Sequence, residues 1–273
     1  RIRGKGIFER VNSKILDGSN PNLKIIEIEV EEKATGEISA GAGFGTSGST
    51  FGFGIKENNY MGKGVKVNTN LTFSDNSVKG ELSINNPNYK NSNNSLSTSI
   101  SSTSSDFLAD SGYKSNLSSV SFGTNFERYE DLLFYPSLAI NFEELETTSN
   151  ASTNLKKQEG DYFETSFIYT FDYDKRNQRF QPTEGFRSKF TQSLPIVSEN
   201  YELKNIYEIN KYVPFNNGMI TNISFGAAAV NGITGEDVRI SKRLYVPERK
   251  LRGFKKGKIG PIENNDYVGG NYR

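Results

Sequence analysis

The amino-acid sequence predicts an all-β fold that is apolar on one face and wet on the other. Apolar and polar residues alternate with a period of two in most windows of the chain, and helical periodicity is nearly absent. Hydrophobic residues make up 34% of the chain and aromatic residues 12%. Soluble domains usually contain about 45–50% apolar residues, so a conventional core is not expected. An antiparallel barrel with its outer face in lipid and a polar interior fits this composition.

The predicted strands follow one another closely and are separated by turn residues. Apolar side chains recur at every second position over 65–73, 120–126, 163–173 and 219–229. We expect about eleven strands after residue 33, many of them near the ~9–11 residues that a membrane-crossing strand needs. Short turns at 62–64 and 182–185 and longer polar stretches at 104–116 and 145–161 predict tight turns on one side of a membrane and long loops on the other.

The two ends of the chain differ from the middle. Residues 1–32 contain two strand-like runs, 8–11 and 24–30, that are typical of a small charged soluble module. Residues 236–273 are rich in Lys, Arg, Gly and Pro and predict a long ordered loop. The chain begins at Arg1 without an initiator methionine or a signal-peptide pattern, and we interpret it as an internal segment of a longer protein.

The composition excludes several classes of chemistry. The chain has no His and no Cys, which excludes imidazole and thiolate metal sites, Ser-His-Asp triads, Cys-His dyads and disulfides within it. Its 33 basic and 32 acidic residues give a formal net charge of +1, without the basic excess of nucleic-acid-binding proteins. We predict no catalytic residue, no metal ligand and no cofactor.

Two local patterns have both a chemical and a structural interpretation. Residues 43–48 match G-x-G-x-x-G, but a dinucleotide site needs a helix after this motif, and an alternating strand follows here. A glycine-rich strand that pairs weakly with its neighbour is the preferred interpretation. Asp172 and Asp174 could act as an acid–base pair or bind a cation. Because basic residues follow at once, a charged lumen or rim is favoured.

A basic cluster near the end of the chain leaves two interpretations open. One is phosphate binding, to nucleic acid or to anionic lipid. The other is a loop arginine buried against carboxylates elsewhere in the fold, a role that suits the planar, permanently charged guanidinium. The cluster consists of Arg249, Lys250, Arg252, Lys255, Lys256 and Lys258.

Four stretches together resemble the BamA-like outer-membrane protein assembly factors, a family that joins POTRA domains to a transmembrane β-barrel. Residues 30–37 with the glycine-rich strand after them resemble the junction between the last POTRA domain and the first barrel strand. Residues 57–64 resemble the E-x-N turn after the second strand, and residues 180–185 resemble the F-P-T-x-G periplasmic turn with one residue inserted. Residues 251–254 and 259–261 resemble the V-R-G-F and I-G-P motifs of extracellular loop six.

The resemblance implies a domain organisation for nearly the whole chain. Residues 1–32 would be the C-terminal part of the last POTRA domain. Residues 33–273 would be the N-terminal and central part of an all-β, antiparallel transmembrane β-barrel, with about eleven to twelve of sixteen strands and loop six at about 236–265. Residues 266–271 resemble the start of strand twelve. Leu251 replaces the usual valine, and Pro247–Lys250 stand where the family often has Gly-Gly, which leaves the local path of the loop open.

The resemblance also implies a function and its residues. The protein would assemble and insert β-barrel proteins into the bacterial outer membrane, with its POTRA part in the periplasm and without ATP. Arg252 would reach into the lumen and pair with acidic residues beyond Arg273. The first-strand gate would comprise Thr35, Gly36, Glu37, Ile38, Ser39, Ala40, Gly41, Ala42, Gly43, Phe44 and Gly45. The loop-six motif would comprise Leu251, Arg252, Gly253, Phe254, Ile259, Gly260 and Pro261, and the periplasmic turns Gly62, Gly64, Pro182, Thr183 and Gly185.

The implied partners are unfolded outer-membrane client proteins, accessory outer-membrane lipoproteins that bind the POTRA region, and the lipid bilayer, but no nucleic acid. The alternative function is a related secretion or translocation transporter of the two-partner or translocation-assembly type. A passive porin, a soluble all-β binding protein and an enzyme are less favoured, because the loop-six motif and the POTRA-like tail fit none of them and the residues offer no catalytic constellation.

Overall fold

The dominant feature of the fold is one large antiparallel sheet. The computed structural model describes residues 6–20, 22–45, 48–215, 218–246, 251, 253–254, 257–264 and 266–273. Within these ranges, eleven strands pair in chain order from β3 at one edge to β13 at the other, which confirms the predicted all-β fold and strand number. The strands are β3 (Gly36–Gly45), β4 (Gly48–Tyr60), β5 (Val65–Ser74), β6 (Ser77–Asn86), β7 (Ser95–Phe107), β8 (Tyr113–Tyr129), β9 (Leu132–Thr147), β10 (Gly160–Asp174), β11 (Gly185–Ser198), β12 (Glu202–Pro214) and β13 (Ile220–Gly232).

The period of two in the sequence becomes an apolar outer face. Because successive side chains of a strand point to opposite faces, cross-strand partners share a face. One row runs from Ile38 of β3 through Ile55, Leu82 and Ile100 to Ile140 of β9, with Thr69 and Val120 between them. All five isoleucine and leucine side chains are exposed to the surroundings of the chain. Such a band is what a lipid-facing barrel wall requires.

The inner face of the sheet is polar and hydrogen-bonded across the strands. Ser99 and Ser121 lie 2.7 Å apart between their hydroxyl oxygens, and the Ser119 hydroxyl donates to Asn141 Oδ1 at 2.7 Å. Serine-rich β7 and β8 therefore satisfy their side chains within the wall. This is why a sequence so poor in aliphatic residues can still form long strands.

A separate hairpin precedes the large sheet. It consists of β1 (Phe8–Asp17) and β2 (Lys24–Glu32), so the two strand-like runs of residues 1–32 are confirmed as strands. Ile15 pairs with Ile26 on one face, while Lys14 pairs with Glu27 on the other. The assignment of this hairpin to a POTRA domain stays a prediction.

The connections follow the predicted asymmetry only in part. One end of the sheet, here called the loop end, carries α1 (Leu108–Ser111), α2 (Thr153–Lys156) and the long segment after β13. The opposite turn end carries the connections 61–64, 87–94, 130–131, 175–184 and 215–219, with a 3₁₀ turn at Tyr89–Asn91. The prediction of a long loop at 104–116 is wrong, because most of it extends β7 and β8, and the turn at 182–185 belongs to the longer connection 175–184. None of the helices in the described ranges has the length and apolar character needed to cross a membrane.

The long segment after β13 folds back across the loop end. Its described residues contain a 3₁₀ turn (Ile240–Lys242) and a small hairpin of β14 (Ile262–Glu263) and β15 (Asp266–Tyr267), and they are otherwise outside helices and strands, as expected of a loop. Its last residues pair with β13: the Ala228 and Arg273 amides each donate to the other residue's carbonyl at 2.9 Å. Residues 237–244, here called the lumenal arm, lie against the inner face, where Ile240 joins a buried cluster with Tyr113, Leu145, Ala151, Leu155 and Val268.

Candidate functional site

The predicted first-strand gate is the terminal strand of the described sheet. β3 forms ten residue pairs with β4, from Gly36–Glu57 to Gly45–Gly48, and no other strand of the described ranges flanks it. Its backbone ladder to β4 is complete, so weak pairing with that neighbour is not observed. Ile38 and Phe44 are 77% and 80% exposed, and a side chain added at Gly41 or Gly43 would touch nothing within 4 Å. β3 thus carries few bulky side chains.

The segment 43–48 is a hairpin and not a nucleotide site. Gly43 and Gly45 end β3, and Gly48 begins β4, while Thr46 and Ser47 lie outside the described residues. A dinucleotide fingerprint requires a helix at this point. The glycine pattern therefore belongs to paired strands, as the structural interpretation expected, but the expected weak pairing with the neighbouring strand is not observed.

Side chains lock the turn end of β3 to β4. The Thr35 hydroxyl donates to Glu57 Oε1, and the backbone and side-chain amides of Asn58 donate to the Thr35 carbonyl at 3.3 and 3.2 Å. Together with the ten residue pairs between the two strands, this lock holds β3 to β4 along its whole length.

The E-x-N segment builds the turn after β4. Glu57 Oε1 accepts the Asn59 backbone amide at 2.7 Å, and Asn59 Oδ1 accepts the Gly64 amide at 2.7 Å. Gly62 and Gly64 have φ of 69° and 65°, a left-handed conformation that suits glycine. The residue types of this motif are explained by turn geometry alone.

The second predicted turn is closed by an asparagine that the sequence interpretation overlooked. Asn177 donates through its side chain to the Thr183 hydroxyl at 2.6 Å and accepts the Thr183 amide at 3.2 Å. Its own amide donates to the Glu184 carbonyl at 3.1 Å. Pro182 sits inside this closed loop. The turn residues thus form one hydrogen-bonded unit.

Gly185 is required where that turn returns to β11. Its φ is 95°, and a β-carbon there would lie 2.1 Å from the Lys175 carbonyl oxygen. The inserted residue, Gln181, also takes a positive φ of 48°. The extra residue thus takes a left-handed backbone conformation within the turn.

Asp172 and Asp174 each form an ion pair with an arginine. Arg187 of β11 binds Asp172 through Nε and Nη2 at 2.8 and 2.5 Å, and Arg176 binds Asp174 through the same atoms at 2.7 and 2.8 Å. Both carboxylates are therefore engaged by planar guanidinium forks. The interpretation as a charged rim is supported, and an acid–base pair is not.

A buried charged side chain lies on the lumenal arm, at Arg239, which is 2% exposed. Its guanidinium reaches Glu143 of β9 at 3.2 Å, Glu164 of β10 at 2.9 Å and Glu202 of β12 at 2.8 Å. The Arg239 backbone amide also donates to Glu202 Oε1 at 2.6 Å. The Tyr162 ring stacks on the guanidinium, 4.4 Å from its centre.

Neighbouring groups complete this ion cluster. Ser115 donates to Glu143 at 2.7 Å, Ser166 donates to Glu164 at 2.8 Å, and Lys242 lies 3.4 Å from Glu164. Burial opposes the charge of Arg239, but the hydrogen bonds to Glu202 and the charges of the three carboxylates outweigh it, so the pKa of Arg239 is raised. Each of these side chains has a hydrogen-bond or ion-pair partner, which is what buried charged groups require.

The predicted loop-six motif is only partly described. Arg252 lies outside the described residues, as do Arg249, Lys250, Lys255 and Lys256 of the basic cluster. Leu251 and Phe254 are exposed, and Gly253 has a φ of 92°. Pro261, which follows Ile259 and Gly260, accepts the Val268 amide at 3.1 Å. Lys258 is bound to Asp110 of α1 at 2.6 Å.

The sequence interpretation missed Arg239. It placed a buried loop arginine in the basic cluster at 249–258, whereas the arginine seen in the ion cluster lies well before it. In the sequence, Arg239 stands between the apolar residues Val238 and Ile240, a pattern that resembles a strand whose one charged side chain faces water. A lone arginine between two apolar residues, in a segment with no predicted strand partner, was the available signal.

Residues 59–273 match the Omp85 superfamily domain. The chain is 24% identical over 286 aligned positions to the outer membrane protein assembly factor BamA of Neorickettsia risticii, covering 100% of this chain and 37% of that protein. It is 25% identical to the human sorting and assembly machinery component 50 homolog, covering 97% of this chain and 58% of that protein. The chain thus spans less than two thirds of the length of each of these relatives.

Solved structures agree on the fold. The Haemophilus ducreyi BamA structure lacking POTRA domains 1–3 matches with a TM-score of 0.84 at 21% identity, covering 99% of this chain and 57% of that one. CdiB from Acinetobacter baumannii matches with a TM-score of 0.52 at 12% identity, covering 91% and 48%. At these identities the likeness concerns the fold alone. With the family match over most of its length, this chain belongs to the Omp85 superfamily of outer-membrane β-barrel proteins.

Proposed function

We propose that this chain is the barrel portion of a factor that assembles and inserts β-barrel proteins into the bacterial outer membrane, with the free edge of β3 as the template for client strands. The position of β3 at the sheet edge carries this proposal. The relatives named as assembly components in Neorickettsia and in humans support it. The energy would come from folding of the client, without ATP or bond chemistry.

The physical need for a template comes from the bilayer. Backbone amides and carbonyls in hydrocarbon must be paired, so a strand cannot enter the membrane with open edges. The outward edge of β3 offers such groups to an incoming strand by β-augmentation. Gly41 and Gly43 leave open space along it, while Thr35 and Glu57 keep the strand attached to β4.

The proposal assigns the remaining parts of the chain as well. Residues 1–32 form the end of a periplasmic POTRA domain, which recruits accessory outer-membrane lipoproteins in the whole protein. Residues 33–273 lie in the outer membrane, with the turn end in the periplasm. In the complete barrel, Arg252 would pair with acidic residues beyond Arg273.

Cysteine crosslinking in the whole protein tests the template. Ile38→Cys on β3 and Ile100→Cys on β7 form a matched pair, because both are exposed isoleucines in one cross-strand row of the outer face. A stalled client carrying a cysteine in its terminal strand should crosslink to the β3 position and not to the β7 position. Adducts at β7 alone, or at both positions equally, would refute the template.

A secretion transporter of the two-partner type is the second candidate, because two CdiB structures share the fold over about nine tenths of the chain. Their TM-scores of 0.52 and 0.54 are well below the 0.84 of BamA. Depletion of the whole protein separates the two functions. An assembly factor should lower the outer-membrane level of many barrel proteins, and a secretion transporter should abolish export of one passenger only.

A further inference from the structure

We propose that Arg239 is a positioning residue that fixes the lumenal arm inside the barrel, as an anchor separate from the Leu251–Phe254 segment. This inference goes beyond the proposed function, because it concerns how the long loop is held and not what the protein assembles. It rests on the ion cluster and on the packing of the residues beside Arg239.

The anchor joins three strands that are distant in sequence. Glu143, Glu164 and Glu202 lie 96, 75 and 37 residues from Arg239 and come from β9, β10 and β12. All three carboxylates point to the inner face and converge on one guanidinium. One side chain of the loop therefore fixes the position of the lumenal arm relative to β9, β10 and β12.

The guanidinium of Arg239 fits this buried position because each of its nitrogen atoms has an acceptor there. Its Nε, Nη1 and Nη2 atoms each donate to a carboxylate, and the backbone amide adds a further bond to Glu202. A buried guanidinium without these partners would be costly, because a charge removed from water needs full compensation. A shift of the arm by one residue would replace Arg239 with an apolar neighbour at this site. The ion cluster thus selects one register of the arm.

The flanking residues reinforce that register. Val238 and Ile240 are each 1% exposed. Val238 packs with Ala228, Val230 and Leu244, whereas Ile240 packs in the cluster around Leu145 and Leu155. Three successive residues of the arm therefore occupy three different environments, and only the central one requires charge. Removing that charge should release the arm without breaking any strand-to-strand hydrogen bond.

Labelling of a buried cysteine on the arm measures its release. Ile240→Cys would be introduced into the whole protein in lipid nanodiscs, with any other cysteine replaced by serine, and reacted with a polar maleimide. Adding Arg239→Ala should raise the labelling rate at least about tenfold, because local opening governs access to a buried site. Heat-modifiable migration on a gel shows in parallel that the barrel itself is folded.

Arg243→Ala provides the matched control. Arg243 lies on the same arm, but its hydrogen bonds to Asp237, Val238 and Val268 stay within the long segment. This variant should leave the labelling rate within about twofold of the parent. Unchanged labelling in Arg239→Ala, or equal increases in both variants, would overturn the proposal. If Arg239→Ala does not fold, Arg239→Lys decides: a raised labelling rate supports the fork-shaped anchor, and an unchanged rate refutes it.

Discussion

Glu202 is predicted to be the strongest of the three carboxylate partners of Arg239. It accepts bonds from Nε, Nη2 and the backbone amide of Arg239, whereas Glu143 accepts one bond from it at 3.2 Å. In Glu202→Gln, the side-chain oxygen can still accept the backbone amide of Arg239. The new side-chain NH₂ group, however, would face the guanidinium, and both groups are hydrogen-bond donors. Hydrogen bonds to charged groups contribute about 1.5–3 kcal/mol each, and breaking a buried pair costs about 3–5 kcal/mol. We expect Glu202→Gln to lower the free energy of unfolding by about 3 kcal/mol.

Glu143→Gln is the internal comparison for this prediction. Among the described residues, the three carboxylates form ion pairs with Arg239 and Lys242, and they lie close enough to one another that neutralising one of them also relieves repulsion. The Ser115 hydroxyl can still donate to the remaining oxygen. We therefore expect a cost of at most about 1 kcal/mol for Glu143→Gln, within the range of a single hydrogen bond.

Urea unfolding of the whole protein in lipid vesicles, followed by circular dichroism, measures both changes. A double-mutant cycle of Arg239→Met and Glu202→Gln should give a coupling energy of at least about 2 kcal/mol, since contacting charged residues are strongly non-additive. A coupling below about 0.5 kcal/mol, or a larger loss for Glu143→Gln than for Glu202→Gln, would refute the assigned geometry.

Three further predictions concern the predicted site residues. Gly185→Ala should destabilise the barrel by about 2 kcal/mol or more in the same urea assay, because the new methyl group meets the Lys175 carbonyl and the positive φ disfavours alanine; an unchanged midpoint would contradict this. Glu57→Gln should increase amide hydrogen exchange at the start of β3 by weakening the lock to the Thr35 hydroxyl, and protection equal to that of the parent would exclude such a lock. Arg252→Ala in the complete protein should lower assembly of client barrels more than Lys256→Ala does, and equal effects would remove any special role of Arg252.

The strands could be predicted because their signal is local. Alternation over 65–73 and 163–173 gives β5 and β10 directly, since one buried or lipid-facing side fixes the period of two. The loop prediction at 104–116 failed for the opposite reason. Ser104, Ser105 and their neighbours look like loop residues, yet they continue β7 and pair with β8, where a polar inner face accepts them.

The ion cluster could not be predicted from the same kind of signal. Arg239 and its three partners are each ordinary charged residues in their own segments. They meet only because β9, β10 and β12 lie near one another in the sheet and the arm folds back over them. The turn residues Gly62, Gly64 and Gly185 were easier to identify, because glycine meets a purely local backbone requirement. Motifs for turns are thus visible in one sequence, whereas convergent side chains from distant strands are not.

A buried arginine at position 239, in place of an apolar residue, affects how the whole loop is positioned. Well-packed apolar residues in place of a buried ion cluster are often as stable or more stable, so stability alone does not explain Arg239. An apolar arm would tolerate many registers along the inner face, since apolar contacts are non-directional. The guanidinium favours a single register, because Glu143, Glu164 and Glu202 all lie within reach of Arg239 only in that register. The three carboxylates therefore favour a single register of the arm at the loop end, on the inner face formed by β9, β10 and β12.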